Sequence, residues 1–154
     1  DRLLSRGLGD VYKRQGFLVM MNEIIQTRPD VHRGWLEAEL DAQLFLADTD
    51  NANEVAKMAD DQTEGMDRKI LWASLYRDEN RVNKLTLDFV FNDKVRNMLN
   101  ASAAFLAGKK KFGKRTTLRP QAVYDEVSRQ VLADRGLKSP LGKIDGVPLS
   151  EYRP

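Results

Sequence analysis

An α/β chain in which helix predominates is what this sequence predicts, and three features carry that expectation. The run GFLVMM (Gly16–Met21) is apolar without interruption after its glycine, as in a strand buried on both faces of a parallel sheet. In KLTLDFVF (Lys84–Phe91), Leu85, Leu87, Phe89 and Phe91 alternate with Thr86, Asp88 and Val90, the pattern of a half-buried extended segment. Elsewhere apolar residues recur at three- and four-residue spacings, as amphipathic helices require.

Taken in order, NEIIQT (Asn22–Thr27) is compatible with one turn of helix, and RPDVHRGWLEAELDAQLFLAD carries the clearest periodicity in the chain. Val31, Trp35, Ala38, Ala42 and Phe45 fall on one helical face, and Leu36, Leu40 and Leu44 widen the stripe. Pro29 suits the first helical position, and Asp30 suits the positive end of the helix dipole. In TDNANEVAKMADDQTEG, Asn51 followed by Glu54 predicts an N-terminal capping arrangement, Val55, Met58 and Ala59 supply an apolar side, and Gly65 ends the helix. MDRKILWASLYRDEN predicts a third helix capped by Asp67, with Ile70, Leu71, Ser74 and Leu75 at helical spacing. After the alternating segment, NDKVRNMLNASAAFLAGKKK returns to helix, capped by Asn92 or Asp93, with Val95, Leu99, Ala103 and Leu106 along one face and Gly108 as its stop. RPQAVYDEVSRQVLADRG is the last predicted helix, opened by Pro120 and closed by Gly136. The tail from Leu137 to Pro154, with three prolines and two glycines, reads as coil.

Composition excludes several classes. No apolar run approaches the roughly 20 residues of a membrane-spanning helix. Cysteine is absent, which removes disulfides, thiolate nucleophiles and cysteine-ligated zinc. The formal charge of +2 arises within the first fifteen residues; from Gly16 onward 21 bases balance 21 acids, so overall charge does not argue for a nucleic-acid or anionic-membrane partner. The balance hides segregation: residues 30–67 hold eleven acids against Arg33 and Lys57, whereas residues 68–119 hold thirteen bases against four acids. Solvated faces account for both blocks, because exposed ion pairs contribute little individually.

Motifs for local chemistry are sparse. His32 is the only histidine and, with no second ligand at metal spacing, is expected to be a surface residue. The carboxylate pairs Glu37/Asp41 and Asp60/Asp61 sit among polar neighbours, where nothing tunes one member for acid–base work. Trp35 and Trp72 lie in apolar stripes, which assigns both to packing. GKKKFGKR (Gly108–Arg115) groups five bases around one aromatic; it fits a solvated linker, and its competing reading is a contact with nucleic-acid phosphates and bases. No nucleophile-elbow, P-loop or dinucleotide-binding pattern occurs.

The order and spacing of GFLVM, RPDVHRGWLEAELDAQLFLAD, NANEVAKMADDQT, LWASLY, LDFVFNDKVRNMLNASAAFL and RPQAVYDEVSRQVLADRGLKSPLG resemble the C-terminal part of substrate-binding proteins of bacterial ABC importers, in the branch for nitrate, sulfonates and taurine. That resemblance implies a helix-rich C-terminal fragment of a two-lobed periplasmic-binding-protein fold of type II. Residues 16–142 would supply mostly the first lobe, and residues 143–154 an irregular tail. Residues 1–15, with SRGLGDVYKRQ at their centre, resemble a translated sequencing adapter and are expected to be non-native. A member of this family binds a small, usually anionic solute, closes its lobes on it and delivers it to a membrane permease. It performs no catalysis, takes no cofactor or metal, and works as a monomer in the periplasm or on a lipid anchor. Gly16 and Phe17, on the returning strand near the hinge, would stand nearest the ligand cleft, and the missing N-terminal portion would leave this piece a poor binder alone. The alternatives are an enzyme on the same scaffold, resembling the synthases of the thiamine pyrimidine precursor, whose cysteine-rich iron motif this sequence lacks, and a small helical nucleic-acid binder acting through Gly108–Arg115.

Overall fold

The structure, a computed structural model, describes residues 18–63, 67–76, 86–109 and 115–153. Among these, six α-helices run in chain order: α1 (Asn22–Thr27), α2 (Pro29–Ala47), α3 (Ala52–Gln62), α4 (Arg68–Leu75), α5 (Asp93–Gly108) and α6 (Glu126–Asp134). Three-residue 3-10 turns lie at Thr49–Asn51, Pro120–Ala122 and Leu149–Glu151. The described sheet has two short antiparallel strands, β1 (Thr86–Leu87) and β2 (Gly142–Lys143), with Thr86 opposite Lys143 and Leu87 opposite Gly142. The chain is therefore helix-rich with a minor sheet.

It divides into two compact units inside α2, between His32 and Arg33. In the first unit, Leu18–Met21 form no strand, which corrects the expectation from GFLVMM for the described part of that run. Among the described residues no strand pairs with this run, and at Met21 it gives way to α1, the Met21 carbonyl accepting from the Ile24 and Ile25 N–H groups. α1 buries no residue, and its last turn is closed by the Thr27 hydroxyl donating to the Glu23 carbonyl at 2.8 Å.

Among the described residues of the second unit there are two apolar clusters. One joins Ala52 and Ala56 of α3, Trp72 of α4, Tyr76 just after it, Leu87 of β1, and Ile144 and Val147 of the tail. The small alanines let α3 approach α4 closely, and the aromatics fill the space: the Trp72 ring centre lies 5.5 Å from Tyr76 and 5.7 Å from Tyr152, the latter edge to face. Burial of the Trp72 indole requires a partner for its N–H, and the Val147 carbonyl accepts it at 3.2 Å. The second cluster sets Leu40 of α2 against Phe89, Val131 and Leu132, with Leu141 packed on both clusters.

Local signals placed several boundaries correctly. Pro29 opens α2, the Asp67 carboxylate accepts from the Lys69 N–H, and the Asn92 side chain accepts from the Val95 N–H. Gly136, at φ +67°, follows α6; its N–H donates to the Ala133 carbonyl and that of Leu137 to the Leu132 carbonyl, a Schellman closure completed by Leu137 packing on the second cluster.

Other expectations are corrected. Asn51 does not cap α3 with its side chain; its amide donates to the Phe45 carbonyl, and the Asp48 carboxylate takes the Asp50 N–H at the start of the preceding 3-10 turn. Pro120 opens only a 3-10 turn, and α6 starts at Glu126. The tail departs from the coil expected of it, because it pairs with β1 and packs on the core: it supplies β2 and the 3-10 turn Leu149–Glu151, Ile144 and Val147 are buried, the Val147 N–H donates to the Tyr76 carbonyl, and Asn53 bonds both the Glu151 carbonyl and the Arg153 N–H.

Candidate functional site

Gly16 and Phe17, the predicted cleft residues, lie outside the described residues, as do Lys110–Lys114 within the basic segment. His32 corrects the surface expectation: it is 7% exposed. The two tryptophans part company. Trp72 is a core residue, whereas Trp35 is 56% exposed, because α2 turns Leu36 and Leu40 toward α6 and its neighbours.

The carboxylate pairs are not brought into acid–base juxtaposition. Each acid takes its own cation: Glu37 pairs with Arg33, Asp41 receives both terminal nitrogens of Arg135, Asp60 pairs with Arg68 at 2.6 Å, and Asp61 with Lys57. The acidic and basic blocks thus meet at Asp60 and Arg68, while the other three pairs lie within or beyond them.

The extended run expected over Lys84–Phe91 is, among the described residues, a strand only at Thr86–Leu87, and the chain bends at Phe89 and Val90; sequence reasoning missed two polar hubs at either end of this connecting segment, Asp88–Asn92. At one end the Asp88 carboxylate accepts from the Ser139 hydroxyl and the Asn92 amide, and the Ser139 oxygen accepts in turn from the Phe89 N–H at 3.3 Å. Ser139 precedes the cis proline Pro140. At the other end Asp125, its side chain only 11% exposed, accepts from the Phe91 N–H at 2.9 Å, from Arg96 at 3.1 Å and from Arg129 at 2.9 Å. Burial alone would raise the Asp125 carboxyl, but the Arg129 hydrogen bond, the Phe91 N–H and the charges of Arg129 and Arg96 together hold it below the usual carboxylate range. Asp125 therefore stays ionised at neutral pH. Each oxygen of both carboxylates already accepts from within the chain, so the hubs position the segment between β1 and α5. The only local trace of Asp125 was its spacing of four from Arg129.

A different surface is offered by α5. It buries no residue fully, and from Asn97 to Gly108 it carries no charge. Asn97, Ala101, Ala104, Phe105 and Gly108 are all exposed, at the spacings of one helical face. The Lys109 ammonium lies 5.6 Å from the centre of the Phe105 ring. No group of three or more histidine, aspartate or glutamate side chains that could hold a metal ion occurs among the described residues, and none of their helices is long and apolar enough to cross a membrane.

No protein-family model, no curated protein and no solved structure matches this chain.

Proposed function

We propose that this chain is the C-terminal part of a solute-binding protein of the nitrate, sulfonate and taurine type, which captures a small anionic solute and presents it to an ABC importer permease. The order of its sequence segments motivates the reading, and one structural observation supports it: large apolar side chains stand uncovered on separate helices. Trp35 of α2, Met58 of α3 and Ile70 of α4 are each at least half exposed, Ile70 at 59%. A sheet or a second layer of the same protein is what commonly covers helix faces that carry such side chains. In a two-lobed α/β receptor the helices flank a parallel sheet, which would cover such faces. The described sheet, two residues per strand, covers none of that area.

The test is to recover the uninterrupted reading frame upstream of Gly16, express the protein it encodes, and titrate it calorimetrically with nitrate, taurine and ethanesulfonate. Saturable binding of one of them, with an export signal at the N-terminus, is the expected result. A start codon at or just before Asp1 that yields a stably folded protein would overturn the reading, as would a cysteine cluster that loads iron.

A further inference from the structure

We propose that the outward face of α5, with the bases that flank it, is a docking surface for an anionic lipid bilayer. The inference is independent of the solute-binding reading. It starts from a conflict within the helix. A solvated surface helix ordinarily carries charge on its outer face, yet the C-terminal half of this face is Ala101, Ala104, Phe105 and Gly108, with Leu106 beside them. Phe105 is 40% and Leu106 38% exposed.

The surroundings say what would cover it. Among the described residues that follow Asp93, from Lys94 to Tyr124, five are bases and none is an acid. Lys94, Lys109, Arg115 and Arg119 are exposed, and Lys109 reaches over the Phe105 ring, so apolar and cationic surface are continuous there. A face that packs beneath a sheet of its own protein has no use for such one-signed charge. A nucleic acid would want the bases along the face, where this helix has alanine and phenylalanine. An interfacial helix wants this division: a small apolar face that enters the headgroup boundary, with lysine and arginine at the margins to meet anionic lipid. Each base near the surface adds attraction, and an apolar patch this small would not hold by itself.

The full chain is mixed with vesicles of phosphatidylglycerol and phosphatidylcholine in equal parts, and with vesicles of phosphatidylcholine alone, then sedimented at low and at high salt. Binding to the anionic vesicles only, weakened by salt, is expected. Phe105→Glu should weaken it by about tenfold or more, since it removes the apolar contact and adds a charge that the bilayer repels. Lys109→Glu, at a fully exposed position, should weaken it as well. Ile70→Glu, on an exposed apolar residue of α4, should leave it unchanged, and circular dichroism of each variant separates lost binding from lost folding. Absence of vesicle binding overturns the proposal, and so does binding that folded Phe105→Glu and Lys109→Glu both retain. Two outcomes would reassign the face: a salt-sensitive shift of single-stranded RNA without vesicle binding, and a concentration-dependent dimer abolished by Phe105→Glu.

Discussion

Tyr76 offers the sharpest test of the core. Its ring is fully buried beside Trp72, and its hydroxyl donates to the Leu46 carbonyl at 3.2 Å. Burial, with a smaller contribution from the negative charge of Asp48, pushes the phenol up from 10.0 to about 12. The folded state thus keeps a proton that the unfolded chain releases near pH 10. Stability from this group is complete below the unfolded value and is lost as pH rises from there through the folded value. At about 1.4 kcal/mol per unit, the loss is about 1.4 kcal/mol at pH 11 and approaches about 2.7 kcal/mol once both states are ionised. Tyr76→Phe removes the ionisation together with the hydrogen bond, and the latter is worth about 1 kcal/mol. The variant should therefore be about 1 kcal/mol less stable than the parent at neutral pH, equal to it near pH 11, and more stable beyond. Urea unfolding of both proteins at intervals from neutral pH to pH 11.5 measures the difference, and other tyrosines and lysines cancel in it. A difference that stays constant across the series would refute the burial argument.

Three further outcomes follow from the same packing. Asp125→Asn should flatten the acid limb of the stability curve: the parent's depressed carboxyl gives stability that is present above the ordinary carboxylate range and is lost as pH falls through its folded value, and the amide cannot titrate. Urea unfolding of parent and variant between neutral pH and pH 3 checks this. Gly136→Ala should cost about 1–2 kcal/mol in the same assay through backbone strain alone, because φ is +67° and an added Cβ meets nothing within 4 Å. Trp72→Ala should cost about 3–5 kcal/mol, whereas Trp35→Ala should stay within about 0.5 kcal/mol, and thermal unfolding monitored by circular dichroism separates the two.

How far the sequence could be read depended on the range of the interaction involved. Caps and closures at Pro29, Asp67, Asn92 and Gly136 were legible because each depends on backbone groups within five residues. The inward side of α2 was not. Its apolar residues span so much of the helix that period alone identifies a stripe without choosing between Trp35 and Leu40; the packing of Phe89, Val131 and Leu132 makes that choice. Ile144 and Val147 gave no warning of being core, since a tail interrupted by Pro140, Gly142, Gly146 and Pro148 reads as coil whatever the apolar residues between them. The hubs were hidden because Ser139 lies 51 positions from Asp88 and Arg96 lies 29 from Asp125. GFLVMM shows the converse: an apolar run states a wish for burial but not the means, and among the described residues no strand lies beside its Leu18–Met21 part.

The same distribution of forces bears on where the second unit can meet a partner. Its apolar stability is concentrated among Leu36 and Leu40 of α2, α3, α4, the segment from Leu87 to Phe89, α6 and the tail. By contrast α5 contributes no fully buried residue and is held largely by polar contacts. Asn92 caps its first turn, Arg96 donates to the Phe91 carbonyl and reaches Asp125, and further along Asn100 accepts from the Leu118 N–H. These contacts fix the N-terminal half of α5 in place and leave the outward face of its C-terminal half, from Ala101 to Gly108, uncovered. A charge placed at Phe105 therefore strikes no part of either core cluster, and its effect on vesicle binding reports on the surface of α5 without passing through the stability of the fold.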